Sequence, residues 1–127
     1  MFQETQDIRR QKFAISSYVD LKGGTFKKLG ANDVDYKLFD NNGNITSYVE
    51  VKVLDTTIAQ SFPLCLTVRK LLKLIDKRLN PVVLWSCSDG IIYGKPYEIN
   101  GELMWSTKLD DLEVKYINKK QFRYVRF

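Results

Sequence analysis

Two acidic residues and one lysine lie close together in a segment that has the character of a β-hairpin. Asp35 precedes the run Tyr36–Phe39, and Glu50 and Lys52 lie two residues apart in the run 45–53. Alternate residues of a strand share a face, so Glu50 and Lys52 are expected on one side. Two carboxylates can thus converge on one divalent ion with an ammonium beside them. Magnesium prefers such oxygen ligands, and it neutralises charge that develops on a phosphate.

The segment between these runs supports the hairpin. It reads Asp40-Asn41-Asn42-Gly43-Asn44, a composition typical of a turn between two antiparallel strands. In the second strand Val49, Val51 and Val53 share one face, and Tyr48, Glu50 and Lys52 share the other. On this arrangement Lys52 is able to orient or deprotonate a metal-bound water, or to stabilise charge on the phosphorus.

Two helices are predicted on either side of the hairpin. Residues 5–21 show a partial helical rhythm that Gly23-Gly24 ends, and Pro63 precedes a helix that runs to about Leu79. The apolar stripe of the second helix is formed by Val68, Leu71, Leu72, Ile75 and Leu79. A different face carries Lys70, Lys73 and Lys77, and Asn80-Pro81 ends the helix.

The remaining elements are strands. Residues 82–87 form a nearly continuous apolar run, typical of a strand buried on both faces. Asp89-Gly90 is interpreted as a hairpin turn and nothing more, leading into a strand over 91–94. Short strands are predicted at 103–105 and 122–127. The order predicts an α/β fold, a mixed β-sheet flanked by helices, in one domain over residues 1–127.

The amino-acid composition excludes several classes of catalytic mechanism. The 127-residue chain has no histidine, which excludes Ser-His-Asp and Cys-His catalysis and zinc hydrolases built on histidine pairs. Its net charge of +5 fits a polyanionic partner.

Cys65 and Cys87 are expected to be buried free thiols, and Trp85 and Trp105 to be core residues. With neither a signal peptide nor an apolar run near the ~20 residues that span a bilayer, we expect no membrane partner and a cytoplasmic setting, in a cell or a virus-infected cell.

The pattern Asp35…Glu50-Val51-Lys52 resembles the PD-(D/E)XK nuclease superfamily, over roughly the first three quarters of the chain. The resemblance implies a restriction-endonuclease-like core, with Asp35 and Glu50 as metal ligands and Lys52 as the catalytic lysine. It also implies that the Val51 carbonyl contacts the metal, and that an acid of the first helix, here Glu4, is a further ligand. Glu4 can alternatively stabilise the helix N-terminus.

The chain departs from the family pattern at two points. Val34 stands where the family has a proline, and Asp33 competes with Asp35 for the first ligand position. Asp35 is preferred because the run 36–39 follows it directly, as an inner strand should, whereas Asp33 is able to cap the turn.

The function implied by the resemblance is magnesium-dependent hydrolysis of DNA by an endonuclease, with manganese able to replace magnesium. Phage nucleases are among the family members that the chain resembles. Lys70 and Lys73 are the candidates for contact with the DNA backbone, with a solvated helix surface as the alternative. A homodimer would allow paired cuts on two strands. The alternative functions are a catalytically inactive DNA-binding protein of nuclease fold and a viral accessory or structural protein.

Overall fold

The computed structural model describes residues 6–127, which form two α-helices and nine β-strands. In chain order these are α1 (Gln6–Lys22), β1 (Thr25–Lys28), β2 (Tyr36–Phe39), β3 (Ile45–Val53), β4 (Leu64–Thr67), α2 (Val68–Asp76), β5 (Pro81–Ser86), β6 (Gly90–Gly94), β7 (Glu102–Ser106), β8 (Asp111–Tyr116) and β9 (Arg123–Arg126), with a 3-10 turn at Lys119–Gln121 before β9. Glu4 lies outside the described residues. No helix of the described part is long and apolar enough to cross a membrane.

The fold is mixed α/β and has two sheets. The larger sheet has six strands in the order β1-β2-β3-β5-β6-β9, and the smaller has three in the order β4-β8-β7. β3 and β5 are parallel, and the other neighbouring strands of both sheets are antiparallel. The predicted hairpin is therefore present as β2 and β3, and the chain returns through β4 and α2 to place β5 beside β3.

The core lies on both faces of the six-stranded sheet. On one face α1 packs against the sheet, and this cluster includes Ala14, Ile15, Tyr18, Val19, Val49, Val51, Leu84 and Ile91. The other face packs against α2 and the smaller sheet, and this cluster includes Leu64, Leu66, Leu74, Val83, Trp85, Ile92 and Tyr116. Every residue of β5 is buried, so the prediction of a strand covered on both faces is confirmed.

The first helix ends where two glycines turn the chain back toward the sheet. Gly23 and Gly24 have φ angles of +86° and +91°, which favour glycine. A Cβ atom at Gly24 would lie 2.0 Å from the carbonyl oxygen of Phe39, so a side chain cannot be accommodated there. This close approach places the start of β1 beside the end of β2.

The second helix is shorter than predicted. The segment after Pro63 is the strand β4, and α2 begins only at Val68, with the Thr67 side chain accepting the N–H of Lys70. Leu64 and Leu66 point into the core because β4 pairs with β8, far along the chain. The predicted stripe was therefore wrong in part, since Leu74 is the buried residue of α2. Leu72 and Leu79 are 60% and 38% exposed.

Other expectations for single residues also differ from the structure. Trp85 is fully buried as predicted, whereas Trp105 is 56% exposed on β7 and is not a core residue. Both cysteines are free, but Cys65 is only partly buried. Strands β1, β4 and β8 were not predicted.

Asp89 does more than form a turn. Its carboxylate accepts the N–H of Ile58 at 2.8 Å and pairs with Arg126 at 3.0 Å, and its carbonyl accepts the N–H of Phe127 at 2.9 Å. The residue therefore links the β5–β6 turn to the segment before β4 and to the C-terminal strand.

Candidate metal-binding and catalytic site

The register of the hairpin brings the two predicted metal ligands together. Tyr36 pairs with Val49, so the next position along each strand places Asp35 opposite Glu50. Asp35 directly precedes β2, and its carboxyl group is close enough to that of Glu50 for charge repulsion and hydrogen bonding to raise the pKa of Glu50. Asp35 Oδ2 also accepts the N–H of Val51 at 2.8 Å, which fixes this carboxylate at the start of β2.

Glu50 is a buried acid beside a second acid. It is 4% exposed, and burial, repulsion by Asp35 and the hydrogen bond with Asp35 raise its pKa to about 8. The positive charges of Lys70 and Lys73 act in the opposite direction. At neutral pH Glu50 is thus largely protonated and donates to Asp35, as expected for two carboxyl groups that share one site. A divalent cation would replace the shared proton.

Lys52 is directed toward the smaller sheet. Its Nζ donates to the carbonyl of Cys65 at 3.0 Å, and the same carbonyl accepts the Nε1–H of Trp85 at 3.2 Å. Burial is the main cause that lowers the pKa of Lys52, and Glu113 opposes this effect. The structure therefore brings Asp35 and Glu50 into contact and engages Lys52 with the backbone of β4.

A second lysine acts electrostatically on both parts of the site. The charge of Lys70 lowers the pKa of Glu50 and also lowers that of Lys52. Lys70 is exposed in the first turn of α2, where Arg69 precedes it and no acid is present. Lys73 is half-buried one turn further on and acts on Glu50. These are the two lysines that the sequence indicated for contact with a phosphate backbone.

Asp33 has a different set of partners from Asp35. Its Oδ1 lies 2.6 Å from Nζ of Lys77, and Oδ1 also accepts the N–H of Val34 at 2.7 Å. The hydrogen bond from Lys77 is the main cause that lowers the pKa of Asp33. Asp33 is therefore bound to the residue that follows α2, while Asp35 contacts Glu50.

The donor set suits magnesium better than a metal that requires many protein ligands. Within residues 6–127 no group of three or more His, Cys, Asp or Glu side chains is placed to hold a metal ion. Magnesium keeps several waters and is commonly bound by one or two carboxylates, which Asp35 and Glu50 can supply. The N–H of Val51 faces Asp35, and its carbonyl points to the same neighbouring edge because both groups of a strand residue share a direction.

Sequence reasoning did not identify the partners of Lys52. The Cys65 carbonyl, Glu113 and Lys108 belong to β4, β8 and the loop before β8, and the charges of Glu113 and Lys108 act on Lys52. No sequence pattern near Lys52 indicates these contacts, since they depend on how the smaller sheet packs against the larger.

Comparisons of the chain with protein-family models, with curated proteins and with solved structures found no match. The function is therefore argued from the residues of the site. A fold alone does not determine a function, whereas the chemistry of a site restricts it.

Proposed function

We propose that the protein is a magnesium-dependent deoxyribonuclease of the PD-(D/E)XK type, an endonuclease that hydrolyses DNA phosphodiester bonds. The observation that carries the proposal is the contact between Asp35 and Glu50 at the end of the β2–β3 hairpin. A buried acid with a strongly raised pKa beside a second acid is typical of functional sites. Two carboxyl groups cannot form an ion pair with each other, so this arrangement is not an ordinary structural salt bridge.

The order of elements supports the same proposal. Helix α1 precedes the hairpin, α2 follows it, and β5 then lies parallel to the strand that carries Glu50 and Lys52. This order resembles the restriction-endonuclease-like core implied by the sequence motif. The assignment of the chain to that core is part of the proposal.

Each residue has a role that follows from its position. Asp35, Glu50 and the Val51 carbonyl would hold the ion, which supplies charge neutralisation at phosphate and a water of lowered pKa. Lys52 would leave the Cys65 carbonyl when DNA binds, and would orient the attacking water or balance charge at the phosphate. Lys70 and Lys73 would contact the DNA backbone, with manganese able to substitute for magnesium.

A second function is favoured by one specific observation. The amine of Lys52 is already bonded to the Cys65 carbonyl, as expected if its role is to fasten β4 to the larger sheet. On this interpretation the protein binds DNA through its basic surface and does not cleave it. The two functions differ in a single measurement, the appearance of cut DNA.

The test is cleavage of supercoiled plasmid by the purified chain in magnesium, manganese, calcium or excess chelator. We expect nicking in magnesium or manganese, binding without cleavage in calcium, and no cleavage in chelator. Glu50→Gln, purified in the same way, keeps the shape of the side chain and controls for contaminating nucleases. Cleavage that persists in chelator or in this variant would exclude the proposed metal site. DNA binding without cleavage in any metal would support the second function.

A further inference from the structure

Strand β7 is an exposed apolar strand at the edge of the smaller sheet. It pairs with β8 on one side, and within the described residues no strand pairs with its other side. Leu103 is 65% exposed and Trp105 is 56% exposed, and Met104 between them is exposed as well. A free edge with apolar side chains is a template for pairing with another strand.

The other sheet edges of the described chain are protected. The edge strand β1 carries Lys27 and Lys28, and the edge strand β9 carries Arg123 and Arg126. At the edge strand β4, the Cys65 carbonyl is occupied by Lys52 and Trp85. Basic side chains and occupied backbone groups are the usual means of blocking an edge. The central residues of β7, Leu103-Met104-Trp105, carry no charge.

The exposed residues belong to a surface that continues from the core. Leu103 pairs with Val114 and Trp105 with Leu112, so all four side chains lie on one face of the sheet. Val114 packs against the core, while Leu112 in the same strand is 40% exposed. The β7–β8 hairpin therefore extends its apolar face beyond the part of the molecule that covers it.

We propose that β7 pairs with β7 of a second copy of this chain, antiparallel and centred on Met104, so that two three-stranded sheets form one six-stranded sheet. A two-fold axis makes such a pairing antiparallel. In this register all five residues of the strand are paired. Leu103 of each chain lies opposite Trp105 of the other, and Glu102 of each chain lies opposite Ser106 of the other. No like charges face each other, and an aromatic residue packs against an aliphatic one.

A second copy fits this surface better than nucleic acid does. The charged residues around the apolar ones are of both signs, since Glu102 lies opposite Lys115 and Asp111 pairs with Arg69 at 3.2 Å, so this surface is not the basic patch that attracts a phosphate backbone. The β7–β8 hairpin also borders the candidate site, because the charges of Lys108 and Glu113 act on Lys52. The pairing of β7 does not depend on the nuclease proposal, and it is tested without measuring cleavage.

The first test is the mass of the protein in solution, measured by sedimentation over a range of concentrations. We expect the parent to have twice the chain mass of 14.8 kDa. Leu103→Lys should weaken the dimer by about 30-fold or more, the loss typical of an interface hot spot, without unfolding the chain. Leu72→Lys is the matched control, since Leu72 is 60% exposed on α2 and should leave the dimer intact. A monomeric parent, or a dimer that Leu72→Lys disrupts and Leu103→Lys does not, would overturn the proposal.

The second test determines the register in which the two β7 strands pair. In antiparallel pairs the Cα atoms of opposed residues lie ~4.5–5.5 Å apart, within the range of a disulfide. Met104→Cys should therefore form a covalent dimer under mild oxidation, and the parent, with Cys65 and Cys87 alone, should not. A dimer that fails to cross-link through residue 104 would overturn the pairing. A monomer whose Trp105→Ala variant loses DNA affinity would overturn it too, and would assign the hairpin to nucleic acid.

Discussion

Lys77 holds Asp33 in an ion pair in which Nζ and Oδ1 are 2.6 Å apart. The lysine follows α2 and the aspartate lies in the segment that leads into β2, so the pair joins two elements on either side of the candidate site. Nζ of Lys77 also lies 5.1 Å from the ring centre of Tyr48 on β3. The carboxylate of Asp33 is thus engaged by Lys77, which distinguishes it from Asp35, two residues further on.

We expect Asp35→Ala to abolish DNA cleavage and Asp33→Ala to keep most of it. The reason is that Asp35 contacts Glu50, whereas Asp33 contacts Lys77. Asp33→Ala removes a partly exposed ion pair and also the acceptor of the Val34 N–H, so it should cost about 1–3 kcal/mol of unfolding free energy. Plasmid cleavage and urea unfolding of both variants are the measurements. An inactive Asp33→Ala beside an active Asp35→Ala would shift the metal-ligand assignment by two residues.

The stability of the metal-free protein should fall as the pH rises from about 5 to about 8. Glu50 has its pKa raised from 4.5 to about 8, so over this range the folded state keeps a proton that the unfolded state releases. One such group gives a slope of at most ~1.4 kcal/mol per pH unit. Glu50→Gln should remove this contribution and stabilise the protein above pH 7. Urea unfolding at several pH values in chelator tests this, and parallel curves for parent and variant would contradict it.

Lys52→Ala should lose cleavage and retain metal binding. On the proposed mechanism the amine acts on the water or on charge at the phosphate, and the substitution leaves the proposed ligands Asp35 and Glu50 in place. Calorimetric titration with manganese and plasmid cleavage separate the two effects. Glu50→Gln is the counterpart that should lose both. If Lys52→Ala cleaves as well as the parent, the bond with the Cys65 carbonyl is the whole role of this lysine.

DNA affinity should weaken as salt increases, and Lys70→Ala should make this dependence less steep by about one phosphate contact. Lys70 is exposed at the start of α2 and acts on both Glu50 and Lys52. Binding is measured in calcium at several salt concentrations. Lys120→Ala changes another exposed lysine, in the 3-10 turn, and should leave the slope unchanged. An affinity that does not respond to salt would indicate a partner other than DNA.

Asp89→Ala should lower the unfolding free energy by about 1–3 kcal/mol, because it leaves the N–H of Ile58 without its acceptor. The measurement is urea unfolding. Arg126→Ala removes only an exposed ion pair and should cost less than ~1 kcal/mol. Equal losses in the two variants would show that the contact with Ile58 contributes little.

The parts of the fold that could be predicted are those with a local signal. The Asn/Gly turn and the alternation of residues 45–53 indicate the hairpin, and the uninterrupted apolar run 82–87 indicates the buried strand. The contact between Asp35 and Glu50 follows from that hairpin. Their roles as metal ligands, and that of Lys52 in catalysis, stay predictions.

The parts that could not be predicted depend on distant partners. Residues 64–67 form a strand because they pair with residues 113–116, and four residues are too few to show a period of their own. The exposure of Trp105 has the same origin, since an aromatic side chain is buried only where another element covers it. Lys52 could be placed on its strand face, but the Cys65 carbonyl that receives it belongs to β4.

The pairing of β4 with β8 and of β6 with β9 limits how far the chain can be truncated. A fragment that stops at Gly94 would contain Asp35, Glu50, Lys52 and both helices, and so would include every side chain proposed for catalysis. It would also leave β4 without its partner β8, would remove β9 from one side of β6, and would uncover Leu64 and Leu66, which are 1% exposed in the intact chain. The smallest fragment that supports the site therefore extends well past the motif, through the strands that close both sheets.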